Sequence, residues 1–205
     1  MRFEDVPMPR AVAARPRDAR GYPIPAVTPI QDGEPRFALT DHERDARCAR
    51  ERLCSVCGLP IPPGPVWRVV DAQESAAIVR ALKAGRGYRN MAPTFEAPGH
   101  RACMLYASMT CPYLARPNAR RGVGAQHAEG LTEHAQRGAV RGADGAVAGF
   151  GQVEYAVNAQ RVYFRFLDVV EHLPHSTGFE HLAALEEEIA REAGLGSCPG
   201  PDLGP

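Results

Sequence analysis

The chain has 205 residues, no formal net charge and 44% apolar residues, enough for one cored domain or a domain with a smaller appendage. No stretch approaches the roughly eighteen apolar residues of a spanning helix, so no membrane association is expected. Residues 1–5 lack the apolar run of a secretory leader, so a reducing, cytoplasmic setting is expected, in which spaced cysteines read as metal ligands and not as disulfides. Nineteen prolines and twenty glycines forecast prominent loops. Lys83 is the only lysine, and the Ala/Arg/Gly/Pro bias is that of a GC-rich genome.

Residues 1–20 are polar, rich in Arg and Pro and without period, and read as a flexible N-terminal arm. Gly21-Tyr22-Pro23-Ile24-Pro25 forces an extended path, because each proline fixes its own φ and keeps its predecessor out of the helical region. Asp32-Gly33 between two short apolar runs signals a hairpin, with Pro29 and Pro35 marking its strands as edges. Thr40-Asp41-His42-Glu43 fits a capping box and starts a helix reaching about Arg52, with Cys48 on it as a packed thiol.

Cys54 and Cys57, spaced C-x2-C and followed by Gly58, form a knuckle that a glycine at positive φ can close. His100 and Cys103, spaced H-x2-C, share one face of the first turn of a helix over about 100–109 that Pro112 ends. The simplest ligand set is Cys54, Cys57, His100 and Cys103; the alternative exchanges His100 for Cys111. These soft ligands suit Zn2+, with an iron–sulfur cluster as the alternative cofactor. Between the two pairs, residues 66–70 read as a strand whose Trp67 covers the metal site or core, and Asp71 caps a helix to Ala84 that Gly85 stops. The loop 85–90 is basic with a central Tyr88, a composition found in solvated loops and in phosphate contacts.

Residues 118–151, with eight glycines, read as a linker or loose excursion. Residues 153–157 and 162–167 form a hairpin turning near 158–160, and a second capping box, Thr177 to Glu180, begins a last helix that Gly194 stops. Glu186, Glu187 and Glu188 form its solvated face, and 195–205 is a Pro/Gly-rich tail containing Cys198. The units are therefore 1–20, a zinc-binding-like module at 21–117, the linker 118–151, a hairpin plus helix at 152–194, and the tail. The fold class is α+β: a small treble-clef-like zinc module with short antiparallel hairpins and three to four helices.

Charge is uneven. Residues 54–121 hold nine basic against three acidic side chains, whereas 122–205 hold five against twelve. Either the acidic part docks on the basic part, or the basic part offers an anion-binding face. In the second case Arg86, Arg89, Arg101, Arg116, Arg120 and Arg121 would meet nucleic-acid phosphates. His172, His175 and His181 lie among Glu171 and Glu180, but Pro174 breaks any shared helical face, and they read as solvated or capping side chains. There is no nucleophile elbow, phosphate loop, H-E-x-x-H or dinucleotide fingerprint.

Four ordered motifs, at residues 20–25, 32–37, 54–58 and 98–114, resemble those of a family of small Cys/His-containing, zinc-binding-like proteins of actinobacteria and their phages. The resemblance spans about half the chain, with Arg36 where the family has Asp and Tyr113 where it has Phe. It implies a small zinc-binding-like cytoplasmic protein, places Cys111 in the shared pattern as a ligand or core thiol, and supplies no reaction. The functional expectation is a non-catalytic, zinc-stabilised module recognising nucleic acid or protein. The alternative is a small metal-dependent hydrolase or tailoring enzyme with an open coordination position; its catalytic residues are not identified.

Overall fold

The computed structural model describes residues 3–90, 93–111, 114–115, 131–133, 145–158 and 161–194. In chain order they form helix α1 (Arg10–Ala13), strands β1 (Ile30–Gln31), β2 (Glu34–Pro35) and β3 (Leu39–Asp41), helix α2 (His42–Glu51), strand β4 (Val66–Val70), helices α3 (Ala72–Lys83) and α4 (Arg101–Thr110), strands β5 (Leu131–Glu133), β6 (Gly145–Val157) and β7 (Val162–His175), and helix α5 (Leu182–Gly194). The architecture is mixed α and β with small antiparallel sheets.

Local chemistry sets several boundaries. Asp32 and Gly33 both take positive φ, 53° and 78°, and turn β1 into β2 as the Asp-Gly signal requires. The cap of α2 is Asp41, not Thr40: its carboxylate accepts from the Arg44 amide at 3.0 Å, while Thr40 is buried in β3. Asp71 caps α3 in the same way through the Glu74 amide, and Gly85 follows its end at φ 62°.

The central sheet runs β4–β6–β7, all antiparallel. The row Arg68–Ala148–His172 faces α3, where Arg68 meets Glu74 and His172 Nε2 lies 3.0 Å from Ser75 Oγ. The next row, Trp67–Gly149–Glu171, faces the opposite side, where Arg101 of α4 bonds Glu171. The sheet is thus a middle layer between α3 on one side and α4 with α5 on the other. Phe150, Phe164, Phe166, Val66, Val70, Val147 and Ile78 are fully enclosed in the core.

Two segments differ from the sequence expectation. Residues 145–151, placed in the linker, are the start of β6, with 145–150 buried. Their small side chains are a packing requirement and not a sign of looseness: a Cβ on Gly149 would stand 2.6 Å from Trp67 Nε1. The remainder of the expected linker lies outside the described residues, apart from 131–133, which pair with β3. The N-terminal arm also differs. Val6 and Val12 join the core, and a turn over 16–24 is closed by Ile24 N donating to Pro16 O at 2.8 Å and by the Asp18 carboxylate accepting from the Tyr22 amide. Scattered apolar residues without period suffice for this docking, because they pack one by one and not along a stripe.

Gly149→Ala is expected to lower stability by about 1–3 kcal/mol, the usual cost of overpacking. Urea denaturation of the two proteins measures it, and an unchanged midpoint would contradict the packing described.

Candidate metal centre

The knuckle begins where α2 ends. Arg52 adopts the left-handed conformation at φ 53°, and the chain folds back so that Cys54 N donates to Leu59 O at 2.9 Å and Gly58 N to Cys54 O at 2.8 Å. Gly58, at φ 80°, closes the turn as its type permits. The second half of the site is stitched to the first by backbone. Trp67 and Gly99 exchange both hydrogen bonds, at 3.0 and 2.8 Å, while Ser55 N donates to Pro98 O and Ser55 Oγ to Ala97 O. Gly99 is needed in this crossing, since a Cβ there would sit 2.9 Å from Cys54 Sγ and against Met104. His100 then occupies the N-cap of α4 and Cys103 its first turn.

These elements gather Cys54, Cys57, His100 and Cys103, whose ligand atoms all lie within 4.8 Å of one another. His100 Nδ1 is 3.4 Å from Cys57 Sγ and 3.9 Å from Cys103 Sγ. One tetrahedral zinc with ordinary Zn–S and Zn–N bonds would separate such atoms by about 3.6 Å, so the group has the dimensions of a single ion. His100 Nε2 lies 3.0 Å from the Pro60 carbonyl. A proton on Nε2 donated to that oxygen leaves the Nδ1 lone pair for a metal, the outer bond that ligating imidazoles require.

The electrostatics favour a cation. All three sulfurs are buried. Burial works against the Cys54 thiolate, but hydrogen bonds from Cys103, Cys57 and His100 hold it well below the usual thiol range. Cys103 is pushed up, because its thiolate would face Cys54 and Cys57. Burial opposes charge on His100 too, yet the same two sulfurs raise it to about 10. A metal ion would displace the protons held on Cys103 and His100 and face the sulfurs in their place.

Of the five candidate ligands, Cys111 stands outside this group. It caps the C-terminus of α4, and eight residues of helical rise, about 12 Å, separate it from Cys103. Cys48 is a core thiol, pushed up to about 12 by burial and by Asp45. Trp67 covers Gly149 and donates its indole N–H to Glu171 at 3.0 Å.

Of the six candidate phosphate-facing arginines, two are paired with carboxylates of the chain, one is exposed and three lie outside the described residues. Arg101 makes a two-pronged bond to Glu171, 2.7 Å on each arm, and a third to Glu188 at 2.8 Å. Arg89 pairs with Glu154 at 3.1 Å. Arg86 is exposed at the loop tip, while Arg116, Arg120 and Arg121 lie outside the described residues. Tyr88 is buried, with its hydroxyl donating to Glu74 at 2.9 Å, so the loop's aromatic is core and not a stacking platform. The uneven charge thus closes on itself, acidic part on basic part, at Arg101 and Arg89. Glu188 is accordingly not a solvated side chain.

The three C-terminal histidines are not in the Cys/His group. His175 and His181 are buried and share a hydrogen bond of 2.9 Å between Nδ1 and Nε2. The sequence reading missed both this pair and the buried Arg68, which bonds Glu74 through two nitrogens and lies 4.9 Å over the Phe166 ring. The i, i+6 spacing of Arg68 and Glu74 across a strand–helix junction carries no helical or strand period that could have revealed the pair.

No family model matches the chain, and neither a curated protein nor a solved structure is found to resemble it. No helix among the described residues is long and apolar enough to cross a membrane.

Two outcomes follow. Gly99→Ala is expected to cost at least tenfold in metal affinity, read by competition with a chromogenic chelator, because Cys54 must move. Burial lowers His181 to about 4, against Glu180, which raises it. The unfolded chain then binds the proton first, so stability is lost as pH falls from about 6.5 towards 4, by at most about 1.4 kcal/mol per unit. Acid titration of unfolding beside His181→Gln tests this; equal slopes would refute it.

Proposed function

We propose that the chain is a zinc-stabilised, treble-clef-like module that recognises a macromolecule without catalysing a reaction. The observation that carries this reading is the four-ligand group itself. Three thiolates and one imidazole complete a tetrahedron, leaving no open position for water or substrate, which is the arrangement of structural zinc and not of catalytic zinc. Burial of the sulfurs and the outer bond of His100 to Pro60 support the same role. The span under 4.8 Å suits one ion; an iron–sulfur cluster would interpose several atoms and hold its ligands further apart.

Between the two partner classes, a protein is favoured. Arg101 and Arg89 are committed to carboxylates of the chain itself, which weakens the phosphate-facing set. Ile30, Phe37 and Leu59, on the N-terminal hairpin and the knuckle, keep large apolar side chains in solvent. A metal-dependent enzyme is supported less, since His172, His175 and His181 are held by neighbours away from the group.

Elemental analysis of natively purified protein is expected to return one zinc per chain. Cys57→Ser and Cys103→Ser should lose the metal together with most of the thermal transition, whereas Cys111→Ser should keep it. Iron in place of zinc, or metal that a chelator removes with no loss of stability, would overturn the reading. A nucleic-acid partner would instead show binding that falls steeply with added salt.

A further inference from the structure

A zinc ion held by three thiolates and a neutral imidazole carries a net charge of −1, and here that charge would be buried. A buried charge is costly without a partner of opposite sign. A cationic side chain from the N-terminal segment lies beside the knuckle. Arg15 Nη1 lies 3.8 Å from where a Cβ on Gly58 would stand, beside the residue that follows Cys57 in the knuckle. Arg15 Nε donates to the Ile24 carbonyl at 2.9 Å, which fixes the guanidinium in place and ties the two limbs of the 16–24 turn.

The same turn is laid directly on the knuckle backbone. Ala26 N donates to Val56 O at 2.9 Å and Val27 N to Ser55 O at 3.2 Å. A Cβ on Gly58 would meet the Ala26 methyl at 3.2 Å. The acceptors of both bonds belong to the two residues between the paired cysteines, whose conformation is set by bringing Cys54 and Cys57 to one point. The surface on which the arm rests is therefore the same turn that brings the Cys54 and Cys57 sulfurs together.

We propose that Arg15 is the outer-sphere counter-cation of the metal centre and that, through it, metal binding locks residues 15–27 onto the knuckle. The proposal rests on the reading of the Cys/His group as a zinc site. It makes the N-terminal segment a metal-dependent strap: with zinc bound the strap is closed, and without it the Ala26 and Val27 amides lose their knuckle acceptors and Arg15 its charge partner. Arg15 is a positioning residue and not a ligand.

The test uses the full chain loaded with zinc and follows amide hydrogen exchange together with zinc transfer to a chromogenic chelator. In the wild type, chelator is expected to accelerate exchange at Ile24, Ala26 and Val27 before it affects the β6–β7 amides; exchange there at the same time or later would overturn the proposal. Arg15→Gln is expected to retain one zinc per chain, to exchange the same three amides at least tenfold faster, and to release zinc about tenfold faster, the low end of what losing an outer-shell partner costs. Arg15→Lys should recover part of both. Both readouts must move together. A strap loosened with zinc release unchanged would mean that Arg15 only staples the Ile24 carbonyl, and faster release with an unchanged strap would mean that the two are not linked; either result overturns the proposal. Absence of zinc in the wild type is a failure of the metal reading itself, visible before any variant is made, and would remove the proposal with it.

Discussion

Three sulfurs and one imidazole are held within 4.8 Å of each other inside this protein, and most of the architecture follows from keeping them there. The surrounding backbone is organised to bring these four side chains to one point, where they could hold a metal ion. The left-handed Arg52 and Gly58 fold the knuckle, the Trp67–Gly99 pairing brings the second ligand pair alongside, and the Pro60 carbonyl sets the ring of His100. The last two of these contacts join segments that are distant in sequence, so the site and the fold are one cooperative unit.

The second organising element is charge that closes on itself. Arg101 directly follows His100, and its guanidinium ties α4 to Glu171 on β7 and Glu188 on α5, while Trp67 on β4 donates to the same Glu171. The C-terminal hairpin and helix are thereby fastened to the half that holds the Cys/His group, through the side chain that follows His100. Arg68 does similar work on the other face of the sheet, buried against Glu74 beneath α3. Pairs of this kind add little net stability once their desolvation is counted, but breaking one leaves an uncompensated buried charge, so they specify how the layers meet.

For a reader of the structure, this changes what the surface offers. Arginines that look like a phosphate-binding set along the chain are in part internal fasteners, and the aromatic of the basic loop belongs to the core. Ile30, Phe37 and Leu59 are among the large apolar side chains left exposed.

Taken alone, the sequence determined the elements whose causes are local. The Asp-Gly hairpin, the Asp71 cap and its helix, the Cys-x2-Cys turn, the H-x2-C pair on a first helical turn and the β6–β7 turn all depend on residues a few positions apart, and their chemistry can be read in order. It also narrowed the candidate ligands to five, four of which the fold gathers. Only the tertiary structure decided which five-minus-one, because excluding Cys111 depends on α4 continuing to Thr110 and carrying that thiol two turns away. It likewise turned a glycine-rich stretch into the central strand, since Gly149 is small for the sake of Trp67, eighty-two positions earlier. The same holds for the docked N-terminal arm, the His175–His181 contact and the ion pairs of Arg101. These are decided by which surfaces meet, and distances across a fold leave no period in the chain for a sequence reading to find.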